Sequence, residues 1–212
     1  MAIGIDRGDR RPRHASQARS YVYVLPCVGE DLLKVGFSRD PLQRLQTLHP
    51  RYFEFFDVET GFLIEADRVR DARRIERLLA QHATEHRAPA PLLVPRRASG
   101  HTEWYRGARA LLAEAAIALR DGEGYVLHVP LRAWLRERLE QQRDLLYDWA
   151  QHQLHALEIA ASVSSEQSRS IARVLRDALD AYVTLDIALD GSVPRAVLDW
   201  HRDVRNAHAG LH

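Results

Sequence analysis

Apolar and polar positions fall into short runs over the first half of the chain and into long helical periods over the second. Tyr21-Val22-Tyr23-Val24-Leu25 alternates aromatic with β-branched residues, which suits a pleated strand. Val28-Gly29-Glu30-Asp31 is a turn signal. Leu32 to Phe37 is a second short apolar run, so the two runs predict a hairpin over about residues 20–39. Asp40-Pro41 then opens a helix, with Asp40 as N-cap and Pro41 at the first position. That helix is expected over Pro41–Leu48, with Leu42, Leu45 and Leu48 facing the sheet. Arg44 lies at the margin of the stripe, where it can reach toward the strands. Tyr52 to Ile64 is too apolar for a loop and predicts a third strand region. Its alternation slips at Phe55-Phe56 and Gly61 interrupts it, which implies a bulge or bend.

A helix is expected from about Ala66 to Glu85. At 100° per residue, Val69, Ala72, Leu79, Ala80 and Ala83 all lie within about 60° of Glu76. This places Glu76 in the middle of the inward face. A carboxylate there requires a partner, because an unpaired buried charge is costly. Arg44, a metal ion, or both would serve; the alternative is a purely structural ion pair. Residues 86–102 form a proline-rich loop carrying Arg87, Arg96, Arg97 and His101. Glu103-Trp104-Tyr105 returns to the core, with Trp104 as packing. A further helix is expected over Arg106–Arg120, ended by Asp121-Gly122-Glu123-Gly124, which is the candidate domain boundary. Residues 125–130 are a short strand or a linker.

The remainder reads as all-helical. One long helix is expected over Leu131–Ala161, and Ser164-x-x-Gln167 has the form of a capping box for the next. Ile171, Leu175, Ala178, Tyr182, Leu185 and Leu189 then alternate spacings of four and three, a coiled-coil-like seam ended by Gly191. A last helix starts at Ser192-Val193-Pro194. The expected fold is therefore α/β of the α+β kind. A basic arm (1–19) precedes a small three-stranded antiparallel sheet flanked by helices (20–122), and an all-helical bundle follows (125–212). The bundle would dimerise the chain or hold a partner.

Composition adds bounds rather than chemistry. The chain is 46% apolar and 28% charged, ordinary for a globular protein. Its formal net charge is +1, so no global basic field announces a polyanion, although local patches can still bind phosphates. Cys27 is the one cysteine, so no intrachain disulfide forms, and it reads as packing. No run approaches the roughly 20 apolar residues of a membrane span, and no apolar signal region opens the chain. A cytoplasmic setting is the default expectation. His82 and His86 stand at i, i+4, a zinc-compatible spacing, but no third ligand accompanies them.

The order Y-V-Y, K-V-G, S-R-D-P-x-x-R-L, a helical Glu76 and Glu103-Trp104-Tyr105 resembles the GIY-YIG nuclease superfamily, in the branch with K-x-G as second motif. The resemblance spans about residues 20–107. It implies an endonuclease that hydrolyses DNA phosphodiester bonds with one Mg²⁺ or Mn²⁺, in restriction, repair or mobile-element defence. The implied roles are Tyr23 as base, Arg44 on the phosphate and Glu76 as metal ligand, with Lys34 stabilising charge or acting as base. Substrate contacts would come from Tyr21, Gly36, Ser38, Arg39, Arg96 and Arg97. Three departures stand out. Lys34 replaces a tyrosine, Tyr21 replaces a glycine, and the late asparagine has no counterpart. The alternative is the same fold binding nucleic acid or protein without cutting.

Overall fold

The computed structural model describes residues 19–95, 98, 102–162 and 164–209. The expected hairpin is present as β1 (Ser20–Pro26) and β2 (Leu32–Ser38), antiparallel, with Tyr23 opposite Gly36 and Leu25 opposite Lys34. Helix α1 (Pro41–Leu48) follows as expected. Asp40 caps it, accepting a hydrogen bond of 3.0 Å from the Gln43 amide, and Pro41, Leu42, Leu45 and Leu48 are buried.

The aromatic stretch after α1 is the first departure. Tyr52–Phe55 forms a single helical turn, α2, rather than a strand. Tyr52, Phe53 and Phe56 are buried while Phe55 is half-buried, a helical rather than an alternating pattern. An Asp57 side chain accepting from the Glu59 and Thr60 amides then turns the chain into β3 (Phe62–Ala66). Helix α3 (Val69–His82) leads through a short 3₁₀ turn to β4 (Arg87–Ala88), and β5 (Trp104–Arg106) lies beyond the loop. Helix α4 (Arg109–Glu123) ends at a left-handed Gly124, and β6 (Val126–His128) follows. The sheet thus has six strands where three were expected, in the order β4-β5-β2-β1-β3-β6, every pair antiparallel. The added strands have two or three residues each, too short to show a period of two.

The C-terminal half is helical, as expected, but its first helix is broken. Helices α5 (Leu131–Glu140) and α6 (Arg143–Ala161) are separated at Gln141-Gln142. The Leu139 carbonyl accepts from the Tyr182 hydroxyl (2.9 Å) and from the Gln142 amide (3.0 Å), a tighter turn than an α-helix makes. Helix α7 (Ser165–Thr184) is capped by Ser164, whose side chain accepts from the Gln167 amide. The expected seam outlasts the helix, since Leu185 and Leu189 are buried in the loop before α8 (Arg195–Ala209).

The sheet is buried on both faces. Val22, Val24, Leu33, Val35 and Ile64 pack with Ala72, Ile75 and Leu79 of α3 and Leu112, Ala116 and Leu119 of α4. On the other face, Tyr21, Tyr23, Leu25 and Leu63 join Leu42, Leu45 and Leu48 of α1. That cluster continues without interruption into Trp134, Leu135, Leu175, Leu179 and Val197 of the helical half. Cys27 is buried there, and burial pushes its thiol up to about 12. No helix among the described residues is long and apolar enough to cross a membrane.

A polar knot fastens α2 to the helical half. Arg51 Nη1 donates to Asp177 and Asp180, both at 2.8 Å, and Asp180 lies 2.8 Å from His201 Nε2. Burial raises the Asp180 carboxyl, but hydrogen bonds from His201 and Arg51 outweigh it and hold the group below the usual range. Its contribution to stability is therefore full above about pH 4 and is lost as the pH falls through the lowered value. Arg51→Met should lower the unfolding free energy by about 2–3 kcal/mol, toward the low end for a buried pair because Arg51 is partly exposed. Urea titration at pH 7 checks the magnitude. Repeating it below pH 4 should show the gap between wild type and mutant narrowing.

Candidate functional site

The hairpin sets the first part of the site. Gly36 lies directly opposite Tyr23, and a Cβ at position 36 would meet Tyr23 Cζ at 2.5 Å and Cε2 at 2.8 Å, with the hydroxyl nearer still. The phenol therefore crosses over Gly36, and only a residue without a side chain leaves room for it. The reason for glycine here is space for Tyr23; the resemblance had suggested a phosphate contact instead.

Helix α1 supplies the second part. Arg44 sits one turn in from the Asp40 cap and donates from Nε to the Tyr23 hydroxyl at 3.2 Å and from Nη1 to the Ala98 carbonyl at 2.6 Å. Tyr23 is almost fully buried at 1% exposure. Burial raises its pKa, and the adjacent Arg44 charge and hydrogen bond only partly offset this. Ser38 bonds to the backbone of Asp40 and shapes the corner into α1, while Arg39 beside it is exposed.

Lys34, expected to stabilise charge or to act as base, is engaged by protein groups in this structure. Its side chain is 2% exposed, and its ammonium donates to the Val35 carbonyl (2.6 Å), the Thr102 carbonyl (2.7 Å) and Glu103 Oε2 (3.0 Å). An ammonium has three protons, and all three are engaged. Burial lowers its pKa, with the nearby Glu103 carboxylate opposing the shift. Lys34 acts as a clamp that pins residues 102–103 onto β2, aided by the Val35 amide donating to the Glu103 carbonyl at 3.0 Å.

Glu103 is the residue that sequence reasoning left out of the site. It adopts a left-handed φ of 59°, which an L side chain occupies at a cost of about 1–3 kcal/mol. Its sequence signal was its place in the Glu103-Trp104-Tyr105 motif, whose two aromatics are buried here.

Glu76 lies near these groups, but not where the helical pattern placed it. The buried stripe of α3 is Ala72, Ile75 and Leu79, and Glu76 is half-buried at its edge. Burial raises its pKa and the Glu103 charge adds to this, while Lys34 and Arg73 pull it down. Its carboxylate accepts no hydrogen bond among the described residues. Tyr21 is built into the core, edge-on to Trp134 at 5.4 Å. Arg96 and Arg97 lie outside the described residues. His82 and His86 each bond to a backbone carbonyl, of Leu78 and Arg106, through Nδ1. Among the described residues no three His, Cys, Asp or Glu side chains gather as a metal cluster.

Geometry thus brings Tyr23, Arg44, Lys34, Glu103 and Glu76 together around the middle of the β1–β2 hairpin. Residues 20–120 match the T5orf172 domain. That domain is nuclease-like, and the match agrees with a DNA-related role. It covers just under half of the chain. The match also corrects the resemblance drawn from the motifs: the family found is T5orf172, not the GIY-YIG nuclease superfamily. Two of the motif residues have a structural reason of their own, Gly36 to admit the Tyr23 ring and Lys34 to clamp residues 102–103. Such residues do not by themselves identify a superfamily. No curated protein and no solved structure matches the chain.

Gly36→Ala should destabilise the protein by about 1–3 kcal/mol, because the rigid phenol has no free rotamer to yield into. Lys34→Met should cost about 1–2 kcal/mol, since the Thr102 carbonyl and the 41%-exposed Glu103 carboxylate lose their donor but can turn to water. Guanidinium unfolding of the two variants against wild type measures both.

Proposed function

We propose that residues 20–120 hydrolyse phosphodiester bonds in DNA, with Tyr23 and Arg44 at the reacting phosphate and a divalent cation held by Glu76. The observation that carries this reading is the Tyr23–Arg44 hydrogen bond beside a half-buried Glu76 carboxylate that accepts no hydrogen bond from the described residues. A half-buried carboxylate without a donor suits a hard cation such as Mg²⁺ or Mn²⁺, which keeps most of its waters and needs few protein ligands. When bound, the cation supplies Lewis-acid charge at the phosphate oxygens.

The chain's own groups then divide the work. Deprotonated Tyr23 takes a proton from the attacking water as its oxygen bonds to phosphorus and the bond to the 3′ oxygen breaks. The 3′ oxygen leaves with a proton drawn from solvent. Arg44 meets the charge that builds on the non-bridging oxygens, and a phosphate that engages its Nη1 takes the place of the Ala98 carbonyl. Lys34 and Glu103 position the site's rim. The raised pKa leaves Tyr23 protonated at neutral pH, so the active fraction grows with pH.

A second reading, binding DNA without cutting it, is favoured by the burial of Tyr23 and by the full engagement of Lys34. A plasmid assay separates the two. Supercoiled plasmid should be nicked with Mg²⁺ or Mn²⁺ and not with EDTA, and Glu76→Ala and Tyr23→Phe should each lower the rate by about 10²–10⁴-fold. The wild-type rate should rise with pH through 9 without a plateau, and Tyr23→Phe should flatten that rise. Binding with no nicking by folded wild type would leave the non-cutting reading standing.

A further inference from the structure

Helix α3 carries an arginine row that neither the core nor the candidate chemistry uses. Arg70, Arg73 and Arg77 stand at i, i+3 and i+7, within about 60° of one another around the helix. All three are exposed, Arg70 at 75%. The apolar stripe of the same helix faces the sheet, so the row looks outward. Glu76 lies angularly between stripe and row.

The row is only weakly neutralised. Arg70 has an exposed contact of 3.5 Å with Asp71, a kind of pair worth little in water. Arg77 donates from Nε to the Arg73 carbonyl, and among the described residues neither Arg73 nor Arg77 forms a salt bridge. The carboxylate that feels Arg73 is Glu76 itself. Arg73 also stacks over Phe37, 5.7 Å from the ring centre, and Phe37 is the residue next to Gly36 on β2. The middle member of the row therefore stands beside the candidate site. Arg74 makes the contrast on the same helix: it bonds to Glu123 and to the Tyr125 hydroxyl at 3.0 Å, so it is already engaged.

In a chain of net charge +1, three outward arginines in a line are a local concentration of charge. Guanidinium groups suit phosphate oxygens in both charge and fork geometry. The row runs about 10 Å along the helix. We infer that Arg70, Arg73 and Arg77 form a track for the phosphate backbone of duplex DNA, leading it to Glu76 and Arg44. This rests on the DNA reading above and names the surface that serves it. Duplex is favoured over single strand because single-strand binding relies on exposed aromatic platforms. Among the described residues the exposed large apolar side chains include one aromatic, Tyr147, and it lies on α6.

The test is salt-dependent binding of the full chain to a fluorescein-labelled 20-base-pair duplex, read by anisotropy in EDTA between about 50 and 200 mM NaCl. Each arginine that meets a phosphate should contribute about 0.9 to the slope of log K against log salt. The triple variant Arg70→Ala, Arg73→Ala, Arg77→Ala should lose that amount per residue and bind about tenfold more weakly per residue at 0.1 M salt. Arg74→Ala, which removes the same charge from the same helix, should leave the slope near wild type. Circular dichroism should show all variants folded, since the substituted side chains are exposed. A triple variant with the wild-type slope, or an Arg74→Ala loss as large as the row's per-residue loss, overturns the track and leaves the DNA reading intact. Tighter binding of the single strand than of the duplex overturns the choice of duplex. Wild type with no salt-dependent binding to any DNA removes the DNA reading and the track together.

Discussion

The passage of the Tyr23 ring across Gly36 is the contact on which the first half of the chain depends. It fixes the register of β1 against β2, because a shift of one residue would drive the phenol into a side chain on either side of the glycine. With register fixed, the hydroxyl of Tyr23 stands where Arg44 can reach it from α1. The Asp40 cap and Pro41 determine where α1 begins, and hence which turn of the helix presents Arg44. A glycine, a cap and a proline thus combine to hold one tyrosine–arginine pair. Tyr23 itself sits in the larger core cluster, so its position is supported by packing as well as by hydrogen bonding.

Lys34 shows the second constraint. A buried ammonium is tolerated only when its protons are satisfied, and here two carbonyls and a carboxylate take all three. Two of the three partners, the Thr102 carbonyl and the Glu103 carboxylate, come from far along the chain, so the lysine ties the end of the long loop to the hairpin. Burial depresses its pKa while the Glu103 carboxylate works against that shift, so the contact opposes the loss of charge that burial favours. The left-handed Glu103 backbone fits the same account, since strain of that kind persists only where neighbouring contacts fix the chain.

Local patterns made much of this legible. The alternation in Tyr21–Leu25, the Asp40-Pro41 start and the Ser164 cap each depend on a few adjacent residues, and each element forms where those residues put it. What depends on distant residues was not legible. β4 and β5 exist because a neighbouring strand pairs with them, whereas β6 falls where a short strand was one of two readings, and the helix break at Gln141-Gln142 accompanies a hydroxyl from Tyr182. The turn at Tyr52–Phe55 was misread because aromatic residues favour strands in general, whereas here the positions buried are 52, 53 and 56. Glu76 was found by its helix, but its depth was overestimated, because periodicity gives an angle and not the height of the neighbouring sheet. Lys34 was recognised by type and assigned to chemistry, since nothing local to it reveals that Thr102 and Glu103 would fold back onto it.

The helical half bears on the site through packing. The apolar cluster beneath Tyr21 and Tyr23 runs on into Trp134, Leu175 and Val197, so the face of the sheet that carries Tyr23 is roofed partly by α5 to α8. Arg51, one residue before α2, is bound by two aspartates of α7, and α8 adds His201 to the same knot. Helices α1 and α2 are therefore held from the far side, and Arg44 is carried on α1. The opposite face is covered by α3 and α4, and the outer side of α3 includes the arginine row. One side of the sheet is thus given to support and the other carries an outward charged row, with the Tyr23–Arg44 pair beside the middle of the hairpin and Glu76 at the edge of the buried stripe of α3.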